Sequence, residues 1–318
     1  MTASAEAHPN IALVKYWGKR DLARNLPAAG SLSVTLAGLR TRMTVDFDTR
    51  DCDTLRVNGQ EVPAMLSRVA RCLDLVAGTD RPCAMVVSEG NFPIGAGLAS
   101  SASAFAALTM AANAAAGTSH DTLALARIAG AVSGSAARSF YGGVVELSAG
   151  DDEIDLARLA DADEWPLQVV VAITAEEEKP VGSGAAMIRS AETSPFYASW
   201  IERQDDDLSL ARDAVAAKDF VALGTVAEHN CLKMHSVMWS SRPPIVYWNQ
   251  ATLACMESVR SLREDGHPAF FTIDAGPQVK VFCLPDAVET VEAVLRTTPG
   301  VVRTLRTGVG DGARLISK

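Results

Sequence analysis

The stretch FPIGAGLASSASAF, Phe92 to Phe105, decides how the rest of the chain is read. Gly95, Gly97 and the small residues around them remove side-chain bulk, so backbone N–H groups can close on an anion, while Ser100, Ser101 and Ser103 offer hydroxyl donors. A strand-like run, AMVVS (Ala84 to Ser88), leads into it, and an alanine-rich helix follows, running to about Ala116 and stopped by Gly117. That helix would aim its positive end at the same place. The segment is not GxxxxGK[ST] and carries no lysine, so it is not the usual phosphate loop. Two readings stay open, a phosphate cradle and a small-residue surface for close helix packing; the position between strand and helix favours the first.

Working outward, IALVK (Ile11 to Lys15), SLSVTL (Ser31 to Leu36) and MTVDF (Met43 to Phe47) are β-branched runs that read as strands. Val62 to Val76 has helical spacing and ends at Gly78, and a second helix covers Asp121 to Val132. The acidic stretch Asp151 to Glu164 precedes an almost wholly apolar strand, Leu167 to Ile173, and the lobe boundary is placed there, giving lobes 1–164 and 165–318. Helices are expected around Pro195 to Ala217, Phe220 to Met238, Val246 to Asp265 and Ala287 to Arg296, with strands at AFFTI (Ala269 to Ile273), VKVFCL (Val279 to Leu284) and Val301 to Thr307. The order is α+β rather than a strict βαβ repeat.

At 318 residues the chain exceeds one ordinary core, so two lobes with a cleft are expected. It is 48% hydrophobic and 21% charged, which excludes a disordered chain, and its net charge of -9 argues against nucleic acid or anionic membrane as partner. An anionic ligand must therefore be met by a local cluster. MTASAEAHPN lacks a signal-peptide design and no apolar run is long enough to span a bilayer, so the expectation is a cytoplasmic protein. Six scattered cysteines with no CxxC pair read as reduced packing thiols.

Three further segments carry chemistry. AHPNIALVKYWGKRD, Ala7 to Asp21, gathers Lys15, Lys19 and Arg20 with Tyr16 and Trp17, a set suited to a phosphorylated substrate, although a solvated strand end would look similar. SGSAARSFYGG, Ser133 to Gly143, holds one arginine, Arg138, able to fix a carboxylate through two parallel hydrogen bonds. FTIDAGPQVKVF, Phe271 to Phe282, ends an apolar strand with Asp274, which could equally be a turn cap.

Taken together these strings resemble the GHMP kinase superfamily. Pro93, Gly97, Leu98, Ser100, Ser101 and Ala102 match its Pro-x-x-x-Gly-Leu-x-Ser-Ser-Ala motif, and GLASSASAFAAL is similar to the mevalonate diphosphate decarboxylases in particular. Ser133–Gly143, the N-terminal string and Asp274-Ala-Gly-Pro, with Gln278 where that family has asparagine, agree, as do ETSPFYASW (Glu192 to Trp200) and LKMHSVMWSSRPPIVYW (Leu232 to Trp248). The resemblance implies a two-lobed fold, with a first lobe like domain 2 of ribosomal protein S5, a ferredoxin-like second lobe, and a deep cleft between them. It implies ATP as co-substrate with magnesium carried on it, and no direct protein ligand to the metal. Gly95, Gly97, Leu98, Ala99, Ser100, Ser101 and Ser103 would hold the nucleotide. Tyr16, Trp17, Gly18, Lys19, Ser133, Gly134, Ser135 and Thr193 would hold a phosphorylated mevalonate, with Lys15 near the reacting centre, Arg138 on the carboxylate and Asp274 as the catalytic aspartate. Family members are commonly homodimers, so a homodimer is implied as well.

Two departures bear on the substrate. Gly184 stands where many bacterial members have an arginine, so that anion contact would come from elsewhere, for example Arg189. An arginine that some members place before the helix at Val62 has no counterpart among Glu61, Val62 and Pro63. The expected reaction is ATP-dependent decarboxylation of mevalonate 5-diphosphate. The alternatives are a 5-phosphate decarboxylase, a kinase that stops after phosphorylation, and a non-catalytic metabolite-binding relative.

Overall fold

The computed structural model describes residues 1–48, 51–92, 100–177 and 179–316. Gly95, Gly97, Leu98 and Ala99 lie outside the described residues.

The first lobe is built on a sheet whose strands run in the order Arg314–Ile316, Thr2–Ala7, Thr41–Phe47, Ala84–Gly90, Thr54–Val57 and Gln60–Glu61. Pairings are antiparallel except that Thr54–Val57 runs parallel to Ala84–Gly90, and the crossover between these two strands carries the short Gln60–Glu61 and the helix Leu66–Ala77. Three helices, Leu66–Ala77, Ser100–Ala116 and Thr122–Val132, cover this sheet in one core. Ser100–Ala116 shows little apolar periodicity because it is buried nearly all round; alanine lets it pack closely against the sheet, and Gly117 ends it at φ +69°. Asp121 opens the next helix by accepting from the Ala124 N–H.

A second sheet, in the order Ile154–Ala160, Val144–Ala149, Ser31–Thr35 and Asn10–Val14, is antiparallel throughout. The strand Ile154–Ala160 falls inside the acidic stretch that precedes the expected lobe boundary: its exposed Asp155, Ala157 and Arg158 mark an outer strand, and such alternation carries a weak apolar signal.

The third sheet, in the order Ala269–Ile273, Val279–Cys283, Gln168–Ile173 and Arg303–Gly308, is also antiparallel. One face packs Val170, Phe271, Val279 and Val281 on the helices Gln250–Glu264 and Val288–Thr297. The other presents Val169, Val171, Phe270 and Phe282 to Ile11, Leu13 and Leu32 of the second sheet and to the helices Gln204–Ala216 and Phe220–Trp239. Burial on both faces explains the continuous apolar run of Gln168–Ile173. Each large side chain buried in this shared core contributes about 1.5–3 kcal/mol, which ties the sheets across the cleft into one body.

The expected helix over 195–217 is two helices, Tyr197–Glu202 and Gln204–Ala216, broken at Arg203 (φ -98°, ψ 4°). The helix expected from Val246 begins at Gln250, after Pro243 and Pro244, where Asn249 and Thr252 close a capping box. Ser183–Thr193 is a further helix, and the last described strand crosses back to pair with Thr2–Ala7.

Candidate active site

A cleft of about 600 Å³ gathers residues far apart in sequence: Lys15, Tyr16, Trp17 and Lys19 after the strand Asn10–Val14; Ser100 and Ser101 at the start of their helix; Ser133, Gly134, Ser135 and Arg138; and Asp274. Asp274 follows the strand Ala269–Ile273, whose five residues are all buried, so the sheet fixes where the carboxylate emerges.

Lys15 Nζ lies 2.6 Å from Asp274 Oδ1, and Lys280 Nζ lies 3.2 Å from Oδ2. Burial alone would raise the Asp274 pKa; Lys15 and Lys280 outweigh it and hold the carboxyl well below the usual carboxylate range. Lys15 is 1% exposed, and its main chain is clamped by two buried amides. Its N–H donates to Asn230 Oδ1 at 2.7 Å, and its carbonyl accepts from Gln204 Nε2 at 2.9 Å. Asn230 donates in turn to Gln204 and Asp207, each at 2.6 Å.

Arg138 is 2% exposed. Its Nε donates to Ser33 Oγ at 3.0 Å, Nη1 to Ser31 Oγ at 2.6 Å and Nη2 to Asn10 Oδ1 at 3.3 Å. Asn10 is oriented by its own donations to the Ser135 carbonyl and Ser139 Oγ. A guanidinium has five N–H donors, so this cradle leaves donors for a ligand. Burial lowers the Arg138 pKa to about 10, Tyr16 and Asp274 opposing the shift. The side chain remains a cation at neutral pH.

At the cleft end formed by Tyr16, Lys19 and Gly134, Tyr16 Oη and Trp17 Nε1 are buried with no hydrogen-bond partner among the described residues. Two orphaned polar groups on one wall fit a polar ligand. Burial pushes the Tyr16 phenol up to about 12, so it is a hydrogen-bond donor at neutral pH. Burial and the neighbouring Arg68 and Arg71 guanidiniums hold Lys19 below the usual lysine range. Such mutual repulsion among cations is relieved by an anion.

Several expected ligands are placed otherwise. Thr193 is not brought into the cleft, because its hydroxyl donates to the Arg189 carbonyl at 2.7 Å and accepts from the Arg242 N–H at 2.8 Å, tying down a helix end. Ser103 is fully buried against Thr41 Oγ1 at 2.7 Å and faces the sheet. Gly18 does not line the cleft; at φ +118°, with Tyr197 Oη 2.1 Å from where a Cβ would stand, it is there for the backbone. Arg189 does not line the cleft, whereas Arg68, in the first turn of the helix Leu66–Ala77, does.

The sequence reading also passed over Asn10, Lys179 and Lys280. Lys179 lines the cleft, its Nζ donating to Ser183 Oγ at 2.7 Å and the Ala275 carbonyl at 3.0 Å. Lys280 carried a usable signal, a lysine inside the apolar strand VKVFC. Among the described residues no group of three or more His, Cys, Asp or Glu is placed to hold a metal ion.

Comparison with known proteins agrees with this geometry. Residues 7–158 match the family model of a diphosphomevalonate decarboxylase-like N-terminal domain, and residues 169–308 that of the mevalonate 5-diphosphate decarboxylase C-terminal domain. The diphosphomevalonate decarboxylase of Candida albicans is 31% identical over 356 residues, covering 100% of this chain and 98% of the relative. That of Bos taurus is 33% identical over 330 residues, covering 94% and 81%. The crystal structure of mevalonate diphosphate decarboxylase from Staphylococcus aureus superposes with a TM-score of 0.94 at 36% identity, covering 99% of this chain and 98% of that one. A complex of MDDEF with MVAPP, AMPPCP and magnesium gives 0.92 at 36% identity, covering 100% and 99%. The fold is therefore the two-domain α+β fold of the GHMP kinases, and the chain belongs to the diphosphomevalonate decarboxylase family.

Proposed function

We propose that the protein converts mevalonate 5-diphosphate and ATP to isopentenyl diphosphate, ADP, phosphate and carbon dioxide. The observation that carries this reading is the meeting of Asp274, Lys15 and Arg138 in one cleft that opens on the N-terminal end of Ser100–Ala116.

Decarboxylation needs somewhere for an electron pair to go. Phosphorylating the tertiary 3-hydroxyl supplies it: the electrons of the bond to the carboxyl carbon form the alkene as the bond from carbon to the phosphate oxygen breaks, releasing carbon dioxide and phosphate. In this proposal Asp274 accepts a hydrogen bond from the 3-hydroxyl and takes its proton while the γ-phosphoryl group moves from ATP to that oxygen. Two lysines on the carboxylate weaken it as a base, so proton transfer comes late, once the forming phosphoester has made the hydroxyl acidic. Arg138, held by Ser31, Ser33 and Asn10, aligns the substrate carboxylate opposite the departing phosphate. Its role is geometry, since a stronger ground-state pair would slow loss of carbon dioxide.

Tyr16, Lys19 and Arg68 would meet the substrate diphosphate, while Ser100, Ser101 and Lys179 would meet the nucleotide phosphates, with magnesium neutralising charge on the nucleotide. The proposal includes a lobe division at 164/165, with residues 309–316 returning to the first lobe through the Leu36–Val309 bridge and the Arg314–Ile316 strand. It also includes a cytoplasmic homodimer, by resemblance to the family; no described helix is long and apolar enough to cross a membrane.

The test is incubation with magnesium and ATP plus mevalonate, its 5-phosphate or its 5-diphosphate, with ADP and carbon dioxide measured in parallel. Equal release of both from the diphosphate alone is expected. ADP without carbon dioxide would make the protein a kinase, and release from the 5-phosphate would reassign the substrate.

A further inference from the structure

Lys280 does not line the cleft, yet it is fully buried in the middle of Val279–Cys283, opposite Thr272 on one neighbouring strand and Val171 on the other. Alternation along the strand places Val279, Val281 and Cys283 on the face under the helices and Lys280 with Phe282 on the face toward the first lobe. A buried ammonium is tolerated when an anion meets it, and the carboxylate it meets is Asp274, at 3.2 Å from Oδ2. Lys15 takes Oδ1 at 2.6 Å. Asp274 is thus bracketed by one ammonium from each lobe, one on each oxygen, and a quarter of its side chain (25%) stays exposed.

We propose that Lys280 is a positioning residue for the reaction, acting from behind the cleft to fix the plane of the Asp274 carboxylate and keep it ionised toward the substrate hydroxyl. The inference rests on the reading of Asp274 given above. A carboxylate with one partner can swing about its broad terminal torsion; a second cation on the other oxygen removes that freedom. Lys15 stands at the cleft wall and can touch substrate, whereas Lys280 lies outside the cleft lining and reaches the chemistry through Asp274.

The other titratable groups facing this pair come from three elements. Lys179 stands on the loop after Gln168–Ile173, and Arg138 lies on the short turn of helix Ala136–Phe140. Cys231 and His235 come from Phe220–Trp239; burial pushes the Cys231 thiol up to about 11 and the His235 imidazole down to about 3. Cys231 stays neutral through the acid range in which Asp274 titrates, and since Lys280 also holds the His235 imidazole down, a Lys280→Met, His235→Phe double variant separates the imidazole's share of any acid-limb shift from that of Asp274. Without Lys280, burial is opposed by Lys15 alone and the carboxyl binds its proton more tightly.

The experiment measures kcat and KM for ADP and carbon dioxide release across pH in wild type, Lys280→Met and Val281→Ala. Lys280→Met should leave both KM values within about twofold, lower kcat about 10- to 100-fold, and move the acid limb of kcat up by about one pH unit or more. Val281→Ala, on the opposite face of the same strand, should lower Tm and leave the acid limb in place. A Lys280→Met enzyme with wild-type kcat and acid limb would overturn the proposal. If that variant fails to fold, or if wild type turns over no mevalonate derivative, carboxyl carbon NMR of wild type decides, with the Asp274 resonance assigned by comparison with Asp274→Asn. A carboxylate still ionised below about pH 3 supports the bracket, and a midpoint at or above about 4 overturns it. Absence of turnover in wild type would count against the decarboxylase reading and not against the bracket.

Discussion

Gly134→Ala tests whether the unpartnered hydroxyl of Tyr16 is a substrate ligand. A methyl at residue 134 would stand 2.5 Å from Tyr16 Oη and 2.7 Å from Cε1 and Cζ. Carbon contacts settle at about 3.5–4.0 Å, so the ring must retreat by roughly 1 Å. That shift is enough to lose a hydrogen bond to a ligand oxygen, because such bonds weaken steeply outside normal geometry. A phenol donating to an anionic oxygen contributes about 1.5–3 kcal/mol, which predicts affinity for mevalonate 5-diphosphate about 10- to 100-fold weaker. The assay is calorimetric titration without nucleotide on wild type, Gly134→Ala, Tyr16→Phe and the double variant, each checked for folding by thermal melting. Both single variants should weaken binding by similar factors, and the double variant no further, because the two act on one hydrogen bond. Wild-type affinity in Gly134→Ala, or additive losses in the double variant, would refute the reasoning.

Asp274→Asn should bind an ATP analogue with near-wild-type affinity by calorimetry and release neither ADP nor carbon dioxide, while leaving Lys15 and Lys280 without their shared anion. Arg68→Ala should raise KM for the diphosphate about 10-fold with kcat little changed, and steady-state assays over a salt series should show a shallower salt dependence of KM. Acid stability follows from His235, whose folded pKa of about 3 lies below the ordinary 6.5, first through burial and then through Lys15. The unfolded chain takes up a proton there that the folded chain refuses, so stability is complete above pH 6.5 and falls as pH drops toward 3. The loss at pH 5 is about 2 kcal/mol. His235→Phe should flatten that part of a urea-denaturation pH series; an unchanged slope would show that His235 is not its source.

The strands and helices with strong periodicity were legible, because burial on one face writes its period into the chain: Thr41–Phe47 alternates buried and less buried positions, and Leu66–Ala77 buries Val69, Cys72, Leu73 and Val76. What escaped was either weakly patterned or set by tertiary contact. Thr2–Ala7 is half alanine, so nothing in TASAEA announces a strand held between Thr41–Phe47 and Arg314–Ile316. The site followed the same division. Lys15, Arg138 and Asp274 were legible as members of motifs, and the structure brings them together. Thr193 and Ser103 matched on residue type, but a hydroxyl can satisfy a helix end or a sheet neighbour as readily as a ligand, and which it does depends on direction. Arg68 was missed because its relation to the cleft lies in the angle of a helix, which spacing along the chain does not fix.

Residues 93–99 of the opening loop lie outside the described residues, and the structure describes what flanks them. Ser100 and Ser101 line the cleft at the start of a helix, and Ser133 Oγ donates to Ser101 Oγ at 3.3 Å, joining these serines to the segment that carries Arg138. From Arg138 the polar chain continues through Asn10 to the strand Asn10–Val14 that leads into Lys15, and from Lys15 to Asp274 in the other lobe. Lys15 is held by its main chain through Asn230 and Gln204 of the second lobe, while its ammonium reaches a carboxylate of that same lobe. A reaction that needs a phosphoryl donor, a hydroxyl and a carboxylate in one alignment thus depends on the shared apolar core under the cleft. Loosening that core, as by Phe270→Ala where its ring stacks on Phe282 at 5.1 Å, should therefore lower kcat before it unfolds either lobe.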